Sequence, residues 1–103
     1  MITRESTLVE SYFTITKNRV FKILPLLEEH NTGVNHYIDS LLFELYGLQN
    51  VVEGVTESSN YVSLLCGLES LLNECINQTK DFKFIRSEIF RLIGLVDKLQ
   101  RGG

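Results

Sequence analysis

A chain of 103 residues with 44% hydrophobic and 22% charged side chains has room for one globular domain and resembles neither a disordered segment nor a fibrous repeat. Its formal charge is only -3, and its longest run without Asp, Glu, Lys or Arg, residues 58–68, is far short of the roughly 20 apolar residues a bilayer-spanning helix needs. Arg4, Glu5 and Glu10 open the chain with no apolar block behind them, so no secretory signal or membrane span is expected, and the expected compartment is the cytoplasm.

The apolar period is helical almost throughout, and no segment alternates with period two between hairpin signals. The first helix is expected near residues 5–30, stepping through Val9, Phe13, Thr16, Val20, Ile23 and Leu27 with one polar residue in the seam. Pro25 removes a donor, so this helix should kink there or restart with Pro25 in its first turn. Asn31, Thr32 and Gly33 read as a loop, with Thr32 or Asn35 able to cap the second helix.

The second helix is expected over 34–56, where Val34, Ile38, Leu41, Leu45, Leu48, Val52 and Val55 keep alternating steps of four and three. Thr56 to Asn60 is a polar run with Ser58, Ser59 and Asn60 all competent caps. The third helix, over 59–79, carries Tyr61, Leu65, Leu68, Leu72 and Cys75, widened by Val62, Leu64, Leu71 and Ile76 into a broad buried face. Asp81 can cap the fourth helix, over 81–100, which steps through Phe82, Ile85, Ile89, Leu92, Val96 and Leu99. The core should contain Val20, Ile38, Leu41, Leu45, Leu48, Leu65, Leu68, Leu72, Ile85, Ile89, Leu92 and Val96.

Short loops between helices of about 20 residues favour antiparallel neighbours. The expectation is therefore an all-α, four-helix up-and-down antiparallel bundle over 1–103, with helical hairpins completing a core as a dimer the alternative. Cys66 and Cys75, nine positions apart, fall on opposite faces of the third helix and should remain thiols.

Charge is unevenly placed. From residue 23 to 79 there is no Lys or Arg, whereas Glu28, Glu29, Asp39, Glu44, Glu53, Glu57, Glu69 and Glu74 lie there. The flanking segments are basic, through Arg4, Lys17, Arg19 and Lys22 on one side and Lys80, Lys83, Arg86, Arg91, Lys98 and Arg101 on the other. Solvated faces attracting one another between helices account for this pattern, as does an acidic surface that steers a basic protein partner. The basic residues of the fourth helix are spread around it, and an acidic half-molecule repels phosphate, so nucleic acid is not an expected partner.

Opposite the seam of the second helix, Phe43, Tyr46, Gly47, Asn50 and Gly54 would share one stripe where a solvated helix normally carries Lys or Glu. Glycine inside a helix costs about 1 kcal/mol against alanine, so Gly47, Gly54, Gly67 and Gly94 each need a reason: close approach, a helix end or a site. This stripe, rimmed by Asp39, Glu44 and Glu53, is the expected partner or self-association surface unless the first helix covers it. Phe21, Phe84 and Phe90 also stand off their seams.

No GxGxxG, GxxxxGK[ST], HExxH, GxSxG or CxxC occurs, so no catalytic residue, cofactor site or metal site is assigned. The nearest metal-like pair, His36 with Asp39, runs in reversed order to Glu-x-x-His, and Asp39 one turn after His36 would repel a phosphoryl group in histidine phosphotransfer. His30 reads as a favourable charge at a helix C-terminus. The expected function is that of a small non-enzymatic protein that binds a protein partner, as adaptors, inhibitors, immunity proteins and chaperones of this size do. A homodimeric structural or regulatory bundle is the alternative, with a phosphotransfer or metal-binding bundle behind it.

Overall fold

The computed structural model describes residues 7–29, 32–76 and 81–101, so the roles expected of Arg4, Glu5, His30, Asn31 and Lys80 lie outside the described residues. Four helices form α1 (Thr7–Glu28), α2 (Val34–Gly47), α3 (Ser59–Ile76) and α4 (Phe82–Gln100), with no strand among the described residues. They pack into a rod of 41 × 20 × 20 Å. Each helix contacts its chain neighbours, and α1 closes the bundle against α4, its most extensive partner.

The pairs between α1 and α4 run antiparallel, and side-chain bonds tie α2 to α3. Between α1 and α4, Gln100 Nε2 donates to Thr14 Oγ1, Lys17 meets Asp97 at 3.5 Å and Glu28 meets Arg86 at 3.4 Å. Tyr46 pairs with Glu69 and Tyr61 with Leu45 between α2 and α3. The expected up-and-down bundle is thus the observed one, and the salt bridges between α1 and its neighbours are the inter-helix attraction that the charge pattern allowed.

The seams pack inward as their spacing dictates. Val20, Ile38, Leu41, Leu45, Leu68, Ile85, Ile89, Leu92 and Val96 have no exposed surface, and Leu48 and Leu65 are buried. Leu72 is only partly buried and its neighbour Leu71 takes the core position, because the buried stripe of α3 runs through Tyr61, Leu64, Leu68, Leu71 and Cys75. Val62 and Ile76, expected to widen that stripe, are exposed. The polar member of the α1 seam, Thr16, is buried and donates its hydroxyl to Tyr12 O at 3.0 Å, the standard way for a threonine to satisfy itself inside a helix.

Pro25 lies inside α1 on its exposed side without ending it. Its carbonyl still accepts from Glu29 N at 2.9 Å. Asp81 caps α4 by accepting from Phe84 N at 3.1 Å, and Ser58 Oγ accepts from Tyr61 N at 3.3 Å at the start of α3. Neither Thr32 nor Asn35 caps α2: the N-cap is Gly33, whose carbonyl accepts from Tyr37 N, and Asn35 Oδ1 is buried without a hydrogen bond.

The second helix is shorter than its apolar period. It ends at Gly47, after which the chain makes a 3-10 turn over Leu48–Asn50 and another over Val55–Glu57. Gly54, at φ +70°, turns the chain between them in the left-handed region that favours glycine. Leu48, Val52 and Val55 nevertheless stay buried, reaching the core from irregular backbone. Gly47, Asn50, the β-branched pair Val51–Val52 and Gly54 crowd weak helix formers into one segment, and the hydroxyl of Tyr61 takes the Leu45 carbonyl at 2.8 Å where the helix is about to stop.

Candidate partner surface

Of the five residues expected on one outward stripe, the structure keeps three together on α2, Phe43, Tyr46 and Gly47, with Asp39 and Glu44 of the expected rim on the same helix. Asn50, Glu53 and Gly54 lie beyond the helix end, where the 100° step no longer holds, so they belong to the turn. Phe43 is 80% exposed, so α1 does not cover this face. Tyr46 is less free: its hydroxyl donates to the Glu69 carboxylate of α3, and that bond raises the phenol's pKa above its ordinary value. A β-carbon on Gly47 would meet nothing within 4 Å, so no neighbouring helix accounts for this glycine.

What the sequence did not indicate is a groove beside this face. Where α2 stops, the N-terminal turns of α1 face the irregular 48–52 segment instead of a helix. A groove of about 540 Å³ opens between Leu8, Val9 and Tyr12 on one side and Glu44, Gly47, Leu48, Val51 and Val52 on the other. Its size falls within the roughly 300–1,000 Å³ of ligand-binding clefts. Leu8, at 67% exposure, and Val51 flank its mouth. The lining carries one charged group, Glu44, which is paired with Arg19 of α1. The signal for this groove was the weak-helix segment from Gly47 to Gly54, which an unbroken apolar period conceals.

Arg19 also lies over the ring of Tyr37, 5.6 Å from its centroid, while the Tyr37 hydroxyl donates to Arg19 O at 2.8 Å. Tyr12 has its pKa raised, first by burial and then by the Glu44 charge. Among the described residues, Asp39, Glu53 and Glu57 make no ion pair, so α2 and the turns after it carry exposed carboxylates that no described cation pairs.

The remaining glycines separate by role. Gly67 is buried where α3 meets α4, and a β-carbon there would lie 2.3 Å from Leu92 Cδ2, so close helix approach explains it. Gly94 is exposed with open space around it, and nothing in the structure explains it. Near it Phe21 and Phe90 meet edge-to-face at 5.9 Å across α1 and α4.

Cys66 is exposed and Cys75 buried on opposite faces of α3, and the two do not pair. His36 is exposed on α2, and no group of three or more His, Cys, Asp or Glu converges among the described residues. No helix of the described residues is long and apolar enough to cross a membrane. Comparison with protein families, with curated proteins and with solved structures gives no match.

Proposed function

We propose that this chain is a non-enzymatic helical module that works by occupying the surface of a protein partner. The carrying observation is the exposed Phe43 beside an apolar groove, where α1 faces the irregular segment after α2 instead of a helix. Burying an aromatic that stands 80% exposed removes a large apolar area from water, so an interface over Phe43 gains from it. The acidic residues around it make a polar rim that favours a basic partner surface.

Chemical cross-linking in the native cell, compared between the wild-type chain and Phe43→Glu, tests this reading. The wild type should yield a specific cross-linked partner that the variant loses while keeping its helical circular dichroism. A stoichiometric metal in the purified protein, or phosphorylation of His36 from a small phosphodonor with a functional consequence, would overturn the non-enzymatic reading. A Phe43-dependent dimer with no foreign cross-link would replace it with the homodimeric one.

A further inference from the structure

The groove carries enough chemistry to specify its occupant. Its walls are the apolar faces of Leu8, Val9, Tyr12, Leu48, Val51 and Val52, and its floor is open at Gly47, where a β-carbon would point into space. Such a lining takes large apolar side chains. The segments on its α2 side carry exposed carboxylates: Glu53 follows the lining residue Val52, Glu57 ends the second 3-10 turn, and Asp39 precedes Phe43 by one helical turn. Among the described residues, the one charged group of the lining, Glu44, is paired with Arg19.

This charge selects among occupants. A second copy brought to α2 by a two-fold axis would set Asp39 and Glu53 against their own counterparts, and residues 23–79 contain no Lys or Arg to relieve them. A fatty acid would bring a second carboxylate to a lining whose one charged group, among the described residues, is already the Glu44 carboxylate. An amphipathic helix with apolar side chains on one face and Lys or Arg at its margins meets both requirements, as in other helix-in-groove complexes.

We propose that the α1/α2 groove binds a basic amphipathic helix of a partner protein, an apolar anchor lying over Gly47 and its Lys or Arg residues facing Asp39, Glu53 and Glu57. The assignment rests on the partner-binding reading and adds to it the site and the chemistry of the partner.

The probe is a synthetic helical peptide with Leu at the helical spacing of one face and Lys on the other, beside a counterpart with Glu in place of every Lys. Titrated into isotope-labelled full-length protein, the Lys peptide should shift the amides of Leu8, Gly47 and Val51 saturably and weaken as salt rises. The Glu peptide should bind roughly tenfold or more weakly, the equivalent of about 1.4 kcal/mol. Gly47→Leu fills the groove from a position with ordinary helical backbone and open space, so it should keep the fold and lose roughly tenfold or more in affinity. Leu8→Lys at the exposed mouth should cause the same loss without touching α2.

Equal binding of the two peptides, shifts centred on another face, or undiminished binding by both variants would overturn the proposal. So would tighter saturation of the groove by dodecanoate, concentration-dependent shifts of the same amides without peptide, or contacts from residues 1–6 to Val51 in the free protein. These outcomes assign the groove to a lipid, a second copy or the chain's own start. A native partner still cross-linked by Gly47→Leu but lost by Phe43→Glu leaves the partner-binding reading standing and removes only this assignment.

Discussion

At the scale of single residues, the glycines make opposed predictions. Gly67→Ala places a methyl group against Leu92 in a packed boundary, so it should destabilise by about 1–3 kcal/mol. Gly94→Ala adds a methyl group in open space on a helix and should stabilise by about 1 kcal/mol. Urea midpoints of the two variants should therefore move in opposite directions. Three tyrosines predict an alkaline response: burial raises the pKa of Tyr61 and Tyr12, and the bond to Glu69 raises that of Tyr46, all from an ordinary 10.0. Each phenol holds its proton more tightly folded than unfolded. Their contribution to stability is complete below pH 10.0 and is lost as pH rises from there through the folded values, visible as a falling thermal midpoint. Glu69→Gln should lower the Tyr46 pKa toward its ordinary value in an ultraviolet titration, since the carboxylate is the leading cause of the shift. Sequence alone exposed Phe43 correctly, because its place opposite an apolar seam follows from helical geometry. It did not reveal that Tyr46 would lean across to α3, since that depends on which helix lies beside α2.

At the scale of elements, Asp81 is the clearest local signal. Asp81→Ala removes the acceptor for Phe84 N and should cost about 1 kcal/mol, measurable by denaturant unfolding. Ser58 likewise does what its place before an apolar run implies. The second helix shows where periodicity misleads. Leu48, Val52 and Val55 are buried as their spacing demands, yet the spacing does not distinguish a continuing helix from a 3-10 turn that delivers the same side chains inward. Gly47, Asn50, Val51, Val52 and Gly54 carried the competing information, and the groove exists because that information prevailed. Hydrogen exchange should reflect the difference. Amides at 48–58 should exchange faster than those of α2 before Gly47, because most of their bonds close isolated 3-10 rings with no continuous helical ladder to hold them.

For the whole molecule, the four apolar stripes alone were enough to define the bundle, because each needs a partner and short connections leave few ways to supply one. Leu68 and Ile89 have no exposed surface, so Leu68→Ala and Ile89→Ala should each cost about 2–5 kcal/mol, whereas Ser63→Ala, outside the core, should change the unfolding midpoint little. The order in which helices surround the core was less legible, since the α1 to α4 closure depends on side chains some 80 positions apart, such as Lys17 and Asp97. That closure has a mechanical consequence. Thr7 and Arg101 lie at the same end of the rod, so a force applied between them loads the α1/α4 boundary one contact at a time: Thr14 with Gln100, Lys17 with Asp97, Phe21 with Phe90, then Glu28 with Arg86. Pulled this way the bundle opens like a zipper at low force. Pulled between Thr7 on α1 and Phe82 on α4, at opposite ends of the rod, it must shear the same four contacts together and should resist more strongly.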